Sequence, residues 1–242
     1  MSLYDIIIFI KITDRVFAVD IKILYEDNHL LSVIKPPNMP VQQDRSGNLD
    51  LLNLLKADIK VRYNKPGNVF LGLVHRLDRP VGGVMVFART SKAASRLSAQ
   101  IREHRMGKTY LCVVNGCPDN LTGRLNDFLL KDRETNTVKV VDPSTKGAKE
   151  AILKYEVIEY IDGLSLVKVD LLTGRSHQIR VQMANNGTPL YGDAKYGHKT
   201  KNKENLALWS YEVSIEHPVK KERMTFSSPP PDTFPWNIFK RV

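Results

Sequence analysis

Between Lys108 and Leu172 the chain offers one strand-like run after another, at 108–114, 124–130, 137–141, 150–160 and 163–172, with Asp162-Gly163 marking a hairpin. This stretch is predicted to be mostly antiparallel sheet. Further strand-like runs lie at 30–34, 69–74, 84–88, 206–215 and 222–227. Helical spacing appears at Leu51, Leu52, Leu55 and Ile59, where Asn48 is the predicted cap, and again from Ser91 to Met106, ending at Gly107. A third helix is predicted to open at Thr173-Gly174-Arg175-Ser176 and to close at Asn186-Gly187 and Pro189. Strands and helices mix without strict alternation, which predicts an α+β fold on a central, mixed, mainly antiparallel sheet with flanking helices.

The 242 residues suffice for one large domain or two small ones, and 42% hydrophobic with 26% charged residues excludes disordered and fibrous classes. The apolar run Ile6–Ile10 lies between Asp5 and Lys11; it is too short to span a bilayer and lacks the flanks of a secretion signal. Residues 1–20 are therefore expected to be an extension or an edge strand. Cys112 and Cys117 cannot make a disulfide framework or a four-ligand zinc site, which suits reduced thiols in a cytoplasmic protein.

The charge balance is less ordinary. Lys and Arg number 36 against 26 Asp and Glu, leaving +10 and an isoelectric point near 9.5, a balance that fits a polyanionic partner, nucleic acid first. No basic amphipathic helix with bulky apolar anchors argues for a membrane. Arg89 to Tyr110 carries six cations (89, 92, 96, 102, 105, 108) against Glu103, and Lys195, Lys199, Lys201 and Lys203 form a second run, together a predicted phosphate-backbone track.

Two polar segments, 75–80 and 173–180, interrupt stretches that must be buried. In the first, Asp78 stands between Arg76 and Arg79, an arrangement that keeps a carboxylate ionised and available as a nucleophile, or that makes a plain loop ion pair. In the second, Arg175, His177, Gln178 and Arg180 at a helix start suit an anion site or a solvated helix end. His75, Asp78, His177 and Asp193 are ordinary metal ligands but lack tight ligand spacing, and no zinc-peptidase helix, P-loop or dinucleotide turn occurs.

Taken in order, His75-Arg76-Leu77-Asp78-Arg79-Pro80-Val81-Gly82-Gly83, then Lys108-Thr109-Tyr110, then Leu172 to Arg180 with Gly187-Thr188-Pro189-Leu190-Tyr191-Gly192-Asp193 and Tyr196-Gly197, resemble the motifs of the RluA-type pseudouridine synthases. The likeness spans residues 21 to 228, and it implies a pseudouridine synthase catalytic domain over 21–242 with an RNA-binding cleft. It implies that Asp78 is the nucleophile, Tyr110 the base-stacking ring and Arg180 the salt-bridge partner of Asp78. His75, Arg76, Arg79, Arg105, Lys108, Arg175, His177 and Gln178 are the implied RNA contacts. Ribosomal or transfer RNA is the implied partner of a monomeric enzyme needing no metal, cofactor or nucleotide. A non-catalytic RNA-binding or chaperone protein on the same fold is the alternative.

The sequence departs from that family at Gly82, where Ser or Thr is common, at Gln182, where His is common, and at Trp209-Ser210, where His-Ala is frequent. The frequent amino-terminal S4 domain is not expected, because the likeness begins by residue 21. The implied reaction breaks the N1–C1′ bond of a uridine, turns the uracil and rejoins it through C5, without redox change. It needs one held carboxylate, a water-poor site and a flipped-out nucleotide.

Overall fold

The structure is a computed structural model and describes residues 4–12, 15–44, 47–197 and 205–240. In chain order its elements are β1 (Tyr4–Ile12), β2 (Arg15–Glu26), β3 (Leu30–Lys35), α1 (Leu51–Arg62), β4 (Gly72–Leu73), β5 (Gly82–Ala88), α2 (Ser91–Arg102) and β6 (Gly107–Asn115). They continue with β7 (Thr122–Asp132), β8 (Thr137–Val141), β9 (Lys149–Ile161), β10 (Leu164–Leu171), α3 (Gln178–Asn185), β11 (Leu208–Glu216), β12 (Arg223–Ser227) and a 3₁₀ turn at Trp236–Ile238. The fold is α+β with mainly antiparallel pairing. By contacts the chain divides into two compact units, Met1–Met106 with Glu212–Ser228 and Gly107–Tyr211 with Pro229–Val242.

In the first unit β1 pairs along its length with β2, β2 with β3, and β3 with β5 from Leu30 opposite Ala88 to Lys35 opposite Gly83. Strand β5 carries no polar side chain and is buried at every residue, as a strand covered on both faces must be. Its Val84, Val86 and Ala88 pack with Leu30, the Ala93 and Leu97 stripe of α2, and Val213, Ile215 and Phe226. Thr90 caps α2, its hydroxyl accepting from the Ala93 N–H at 3.1 Å. The helix stops at Arg102, a turn before the predicted end, because His104 takes a left-handed conformation (φ 55°) and turns the chain into β6. Asp50, and not the predicted Asn48, caps α1: its extended backbone lets the carboxylate accept from the Asn53 N–H at 3.0 Å.

In the second unit the order is β6-β10-β9-β7-β8, each neighbour antiparallel. Asp162 and Gly163 both have positive φ (50° and 80°), as a type I′ hairpin turn requires. Register then places Tyr110, Val169, Tyr155 and Gly123 in one row across four strands, with alternate residues on the opposite face. A Cβ on Gly123 would lie 2.6 Å from the Tyr155 ring, so glycine is required there. Helix α3 packs by Val181 against Leu129, Val138 and Ala151.

Candidate active site

The Asp78 segment joins β4 to β5 in the first unit. Strand β4 is only two residues long, against the predicted 69–74, because beyond Leu73 the His75 ring replaces the backbone ladder: its Nε2 accepts the Val86 N–H at 3.0 Å. Leu77 is buried, Asp78 half-buried, and Val81 N–H donates to the Asp78 carbonyl at 3.0 Å, closing a turn around the carboxylate. Arg76 is exposed. Arg79 is directed at the Asn38 carbonyl (3.1 Å) and toward Asp44 (3.9 Å).

Beneath this loop lies a residue that sequence reasoning missed. Lys35, fully buried at the end of β3, donates from Nζ to the carbonyls of Pro36 (2.9 Å), Arg79 (3.0 Å) and Val81 (2.6 Å), so all three of its donors are used. Desolvation pushes its pKa down to about 7; the negative charge of Asp78 pulls it up and the positive charge of Arg79 pushes it further down. The available signal was a lysine closing an apolar strand, directly before Pro36-Pro37.

The second segment lies in the second unit. Gln178 is buried, and its amide is saturated: Oε1 accepts from Thr173 Oγ1 (2.8 Å) and the Arg175 N–H (3.0 Å), while Nε2 donates to the Ile152 carbonyl (3.1 Å) and Gln182 Oε1 (2.9 Å). Gln182 donates in turn to Asp127 (2.7 Å) and the Ala151 carbonyl (3.0 Å), so Gln178 anchors the loop from inside. His177 takes a left-handed conformation (φ 51°) directly before α3, which therefore begins at Gln178 and not within the predicted 173–176. Its Nδ1 lies 2.6 Å from the Tyr196 hydroxyl, which also accepts the Val138 N–H at 2.9 Å.

Arg180 is buried and grips Asp193 through two 2.7 Å bonds, Nε to Oδ2 and Nη2 to Oδ1, the planar fork that only arginine offers. The Tyr196 ring lies 5.1 Å from its guanidinium. Burial alone would raise the Asp193 pKa, but the Arg180 bonds and charge and the Lys195 and Tyr196 N–H groups outweigh it and hold it below the usual range. Gly192 (φ 72°) is required before this aspartate, since a Cβ would collide with the Asn205 carbonyl.

Tyr110, on β6, is 7% exposed. Two residues before it, Lys108 is largely buried, its ammonium 3.3 Å from where a Gly174 Cβ would stand, and desolvation followed by the Arg175 charge lowers its pKa. Arg175 is exposed and fixed by one bond, Nε to the Glu150 carbonyl at 2.8 Å. Lys108 and Arg175 thus concentrate positive charge at the start of the Thr173–Arg180 segment, while the Arg180 charge is balanced by Asp193.

The long basic run is less of a track than it reads. Arg89 is paired with buried Glu26 (3.0 Å), Arg96 donates to the Pro218 carbonyl (2.7 Å), and Arg105 holds Glu103 (2.7 Å) and approaches Glu216 (3.8 Å). Lys92 and Arg102 remain on the exposed face of α2. In the second run Lys195 donates to the Asn136 carbonyl (2.8 Å), while Lys199, Lys201 and Lys203 lie outside the described residues. Among the described residues no helix is long and apolar enough to cross a membrane.

A family described as RNA pseudouridylate synthase matches residues 29–185, which hold Asp78, Tyr110 and Arg180. The chain belongs to this family. It is 33% identical over 215 residues to the ribosomal large subunit pseudouridine synthase C of Buchnera aphidicola subsp. Baizongia pistaciae, covering 86% of this chain and 66% of that protein. It is 32% identical over 225 residues to the ribosomal large subunit pseudouridine synthase D of Zymomonas mobilis, covering 88% and 70%. The solved structure of human RNA pseudouridylate synthase domain containing 4 superposes with a TM-score of 0.73 at 22% identity, over 86% of this chain and 88% of that one, which shows the shared fold. The family's members are RNA-modifying isomerases.

Proposed function

We propose that this chain converts specific uridines of structured RNA to pseudouridine, with Asp78 as nucleophile, Tyr110 as the ring on which the extruded uracil stacks, and Arg180 as the guanidinium partner of the Asp78 carboxylate. The observation that carries this reading is that the family match spans both polar segments and each is built around its key side chain, the Asp78 loop over Lys35 and Arg180 against Asp193. Asp78 opens the N1–C1′ bond by covalent attack; the uracil turns, C5 bonds to C1′, the bond to Asp78 breaks, and the proton lost at C5 is matched by one gained at N1, so the product is an isomer and no oxidant or energy source is consumed. Stacking on Tyr110 contributes ~1–3 kcal/mol toward holding the flipped base. Lys108, Arg175, Arg76 and Arg79 serve the phosphates around the target nucleotide, whereas Gln178 and His75 hold the two loops in shape.

Ribosomal RNA is the first substrate class to test, because the named relatives act on the large ribosomal subunit, with transfer RNA second. The enzyme works as a monomer in the cytoplasm, where those RNAs are. Pseudouridines in ribosomal and transfer RNA are mapped in cells with and without the gene, and the deletion RNA is then treated with purified protein. A site lost on deletion and restored in vitro is expected. A complete, unchanged map and no product in vitro would replace this reading with that of a non-catalytic RNA-binding protein.

A further inference from the structure

From Lys60 to Asn68 every residue is exposed, and three large apolar side chains stand in solvent within ten positions: Val61 (79% exposed), Tyr63 (47%) and Phe70 (50%). The segment also carries Lys60, Arg62 and Lys65, and no aspartate or glutamate occurs between Asp58 and Asp78. Exposed aromatics interleaved with cations and free of acid are the composition of a surface that binds single-stranded nucleic acid.

Tyr63 is moreover held in place. Its hydroxyl donates to Glu26 at 2.9 Å, and Glu26, 1% exposed, is bonded by Arg62 (2.9 Å) and Arg89 (3.0 Å). Both guanidiniums lie against the ring, 5.3 Å and 4.8 Å from its centroid. A buried carboxylate and two arginines, Arg62 also bonded to Asp58 (2.6 Å), thus fix a ring that is half in solvent. Phe70 is seated on Gly72, where a Cβ would lie 3.3 Å from its ring. None of these residues belongs to the Asp78 or Arg180 segments.

We infer that Lys60–Phe70 is a second RNA contact, a platform on which Tyr63 and Phe70 stack unpaired bases away from the reacting nucleotide while Lys60 and Lys65 meet the phosphates. The partner is RNA, since the acid-free charge of the segment suits a polyanion and the family acts on RNA; in that respect the inference rests on the proposed function. Stacking here is sequence-tolerant, so the platform adds affinity for an unpaired stretch next to the target and leaves the choice of uridine to the site itself.

The test compares wild type with Tyr63→Ala, Tyr63→Phe, Phe70→Ala and the charge reversal Lys60→Glu/Lys65→Glu. Pseudouridine formation supplies KM and kcat, and fluorescence anisotropy with a short oligouridylate supplies Kd. Tyr63→Ala and Phe70→Ala are expected to raise KM and Kd by about tenfold each with the loss confined to binding, and Tyr63→Phe to bind like wild type. The charge reversal is expected to weaken binding most at low salt. Unchanged KM and Kd in Phe70→Ala and in the charge reversal overturn the inference even if Tyr63→Ala fails to fold. Self-association of wild type that Tyr63→Ala abolishes, with Kd for RNA unchanged, also overturns it and assigns the face to a protein contact. Wild type that binds oligouridylate through these residues yet forms no pseudouridine in any RNA sinks the enzyme reading and leaves this contact standing.

Discussion

Asp78 and Arg180 sit on segments that look alike in sequence, short and charged between buried strands, yet the fold secures them by opposite means. The Asp78 loop is held by one buried ammonium that binds the Pro36, Arg79 and Val81 carbonyls. The Arg180 segment is held by neutral amides, Gln178 and Gln182, and by a two-pronged ion pair with Asp193. The first support rests on a proton that leaves near neutral pH; the second rests on groups that keep their state throughout the physiological range. The difference teaches that the ammonium holding the Asp78 loop titrates near neutral pH, whereas the amides and the ion pair holding Arg180 do not.

The largest effect is expected from breaking the Arg180 support. Asp193→Ala leaves a guanidinium that is 8% exposed without its counter-charge and should cost ~3–5 kcal/mol in urea unfolding. The ion pair of the other loop, Arg79 with Asp44 at 3.9 Å, has both side chains more than 40% exposed, and Asp44→Ala should cost less than ~1 kcal/mol. Equal costs would erase the contrast.

Next comes pH. The folded pKa of Lys35, about 7, lies below the ~10.4 of an unfolded lysine. Between those values the unfolded chain binds more protons, so stability rises with pH across this window, and the full cost of the buried charge is present below it. Deprotonation also removes a donor from the three carbonyls and a positive charge that acts on Asp78, so turnover should fall above about pH 7 while stability rises. Lys35→Met should lose the stability rise and have low turnover at every pH; urea unfolding and kcat from pH 6 to 9 check both trends.

The smallest effect concerns RNA phosphates. Lys108→Met should lower the slope of log affinity against log salt by about one, whereas Arg105→Met, removing a guanidinium already held by Glu103 and Glu216, should leave it nearly unchanged. Equal slope changes would restore Arg105 to the phosphate track.

Periodicity made the strands legible: β6 to β10, β11 and β12 each fall within two residues of the predicted bounds, because their apolar alternation is a local property. What was not legible depends on distant partners. The 69–74 run shrank to two residues because a histidine ring completed its ladder, and α2 ended early at a left-handed histidine where the sequence suggested a glycine stop. Asp78, Tyr110 and Arg180 were singled out by motif order, but Lys35 was not, since a single lysine at a strand end ordinarily reads as the point where a strand meets water. Asp193 reads in sequence as a motif residue and a possible metal ligand, not as the partner of Arg180; that bond joins residues 13 apart across a helix and a loop, beyond what spacing shows.

The central claim is that the Asp78 carboxylate is the nucleophile. Single-turnover pseudouridine formation by Asp78→Asn, on an RNA that the wild type modifies and with RNA affinity measured alongside, tests it most directly. The account predicts no product at retained affinity; product forming at the wild-type rate would contradict it.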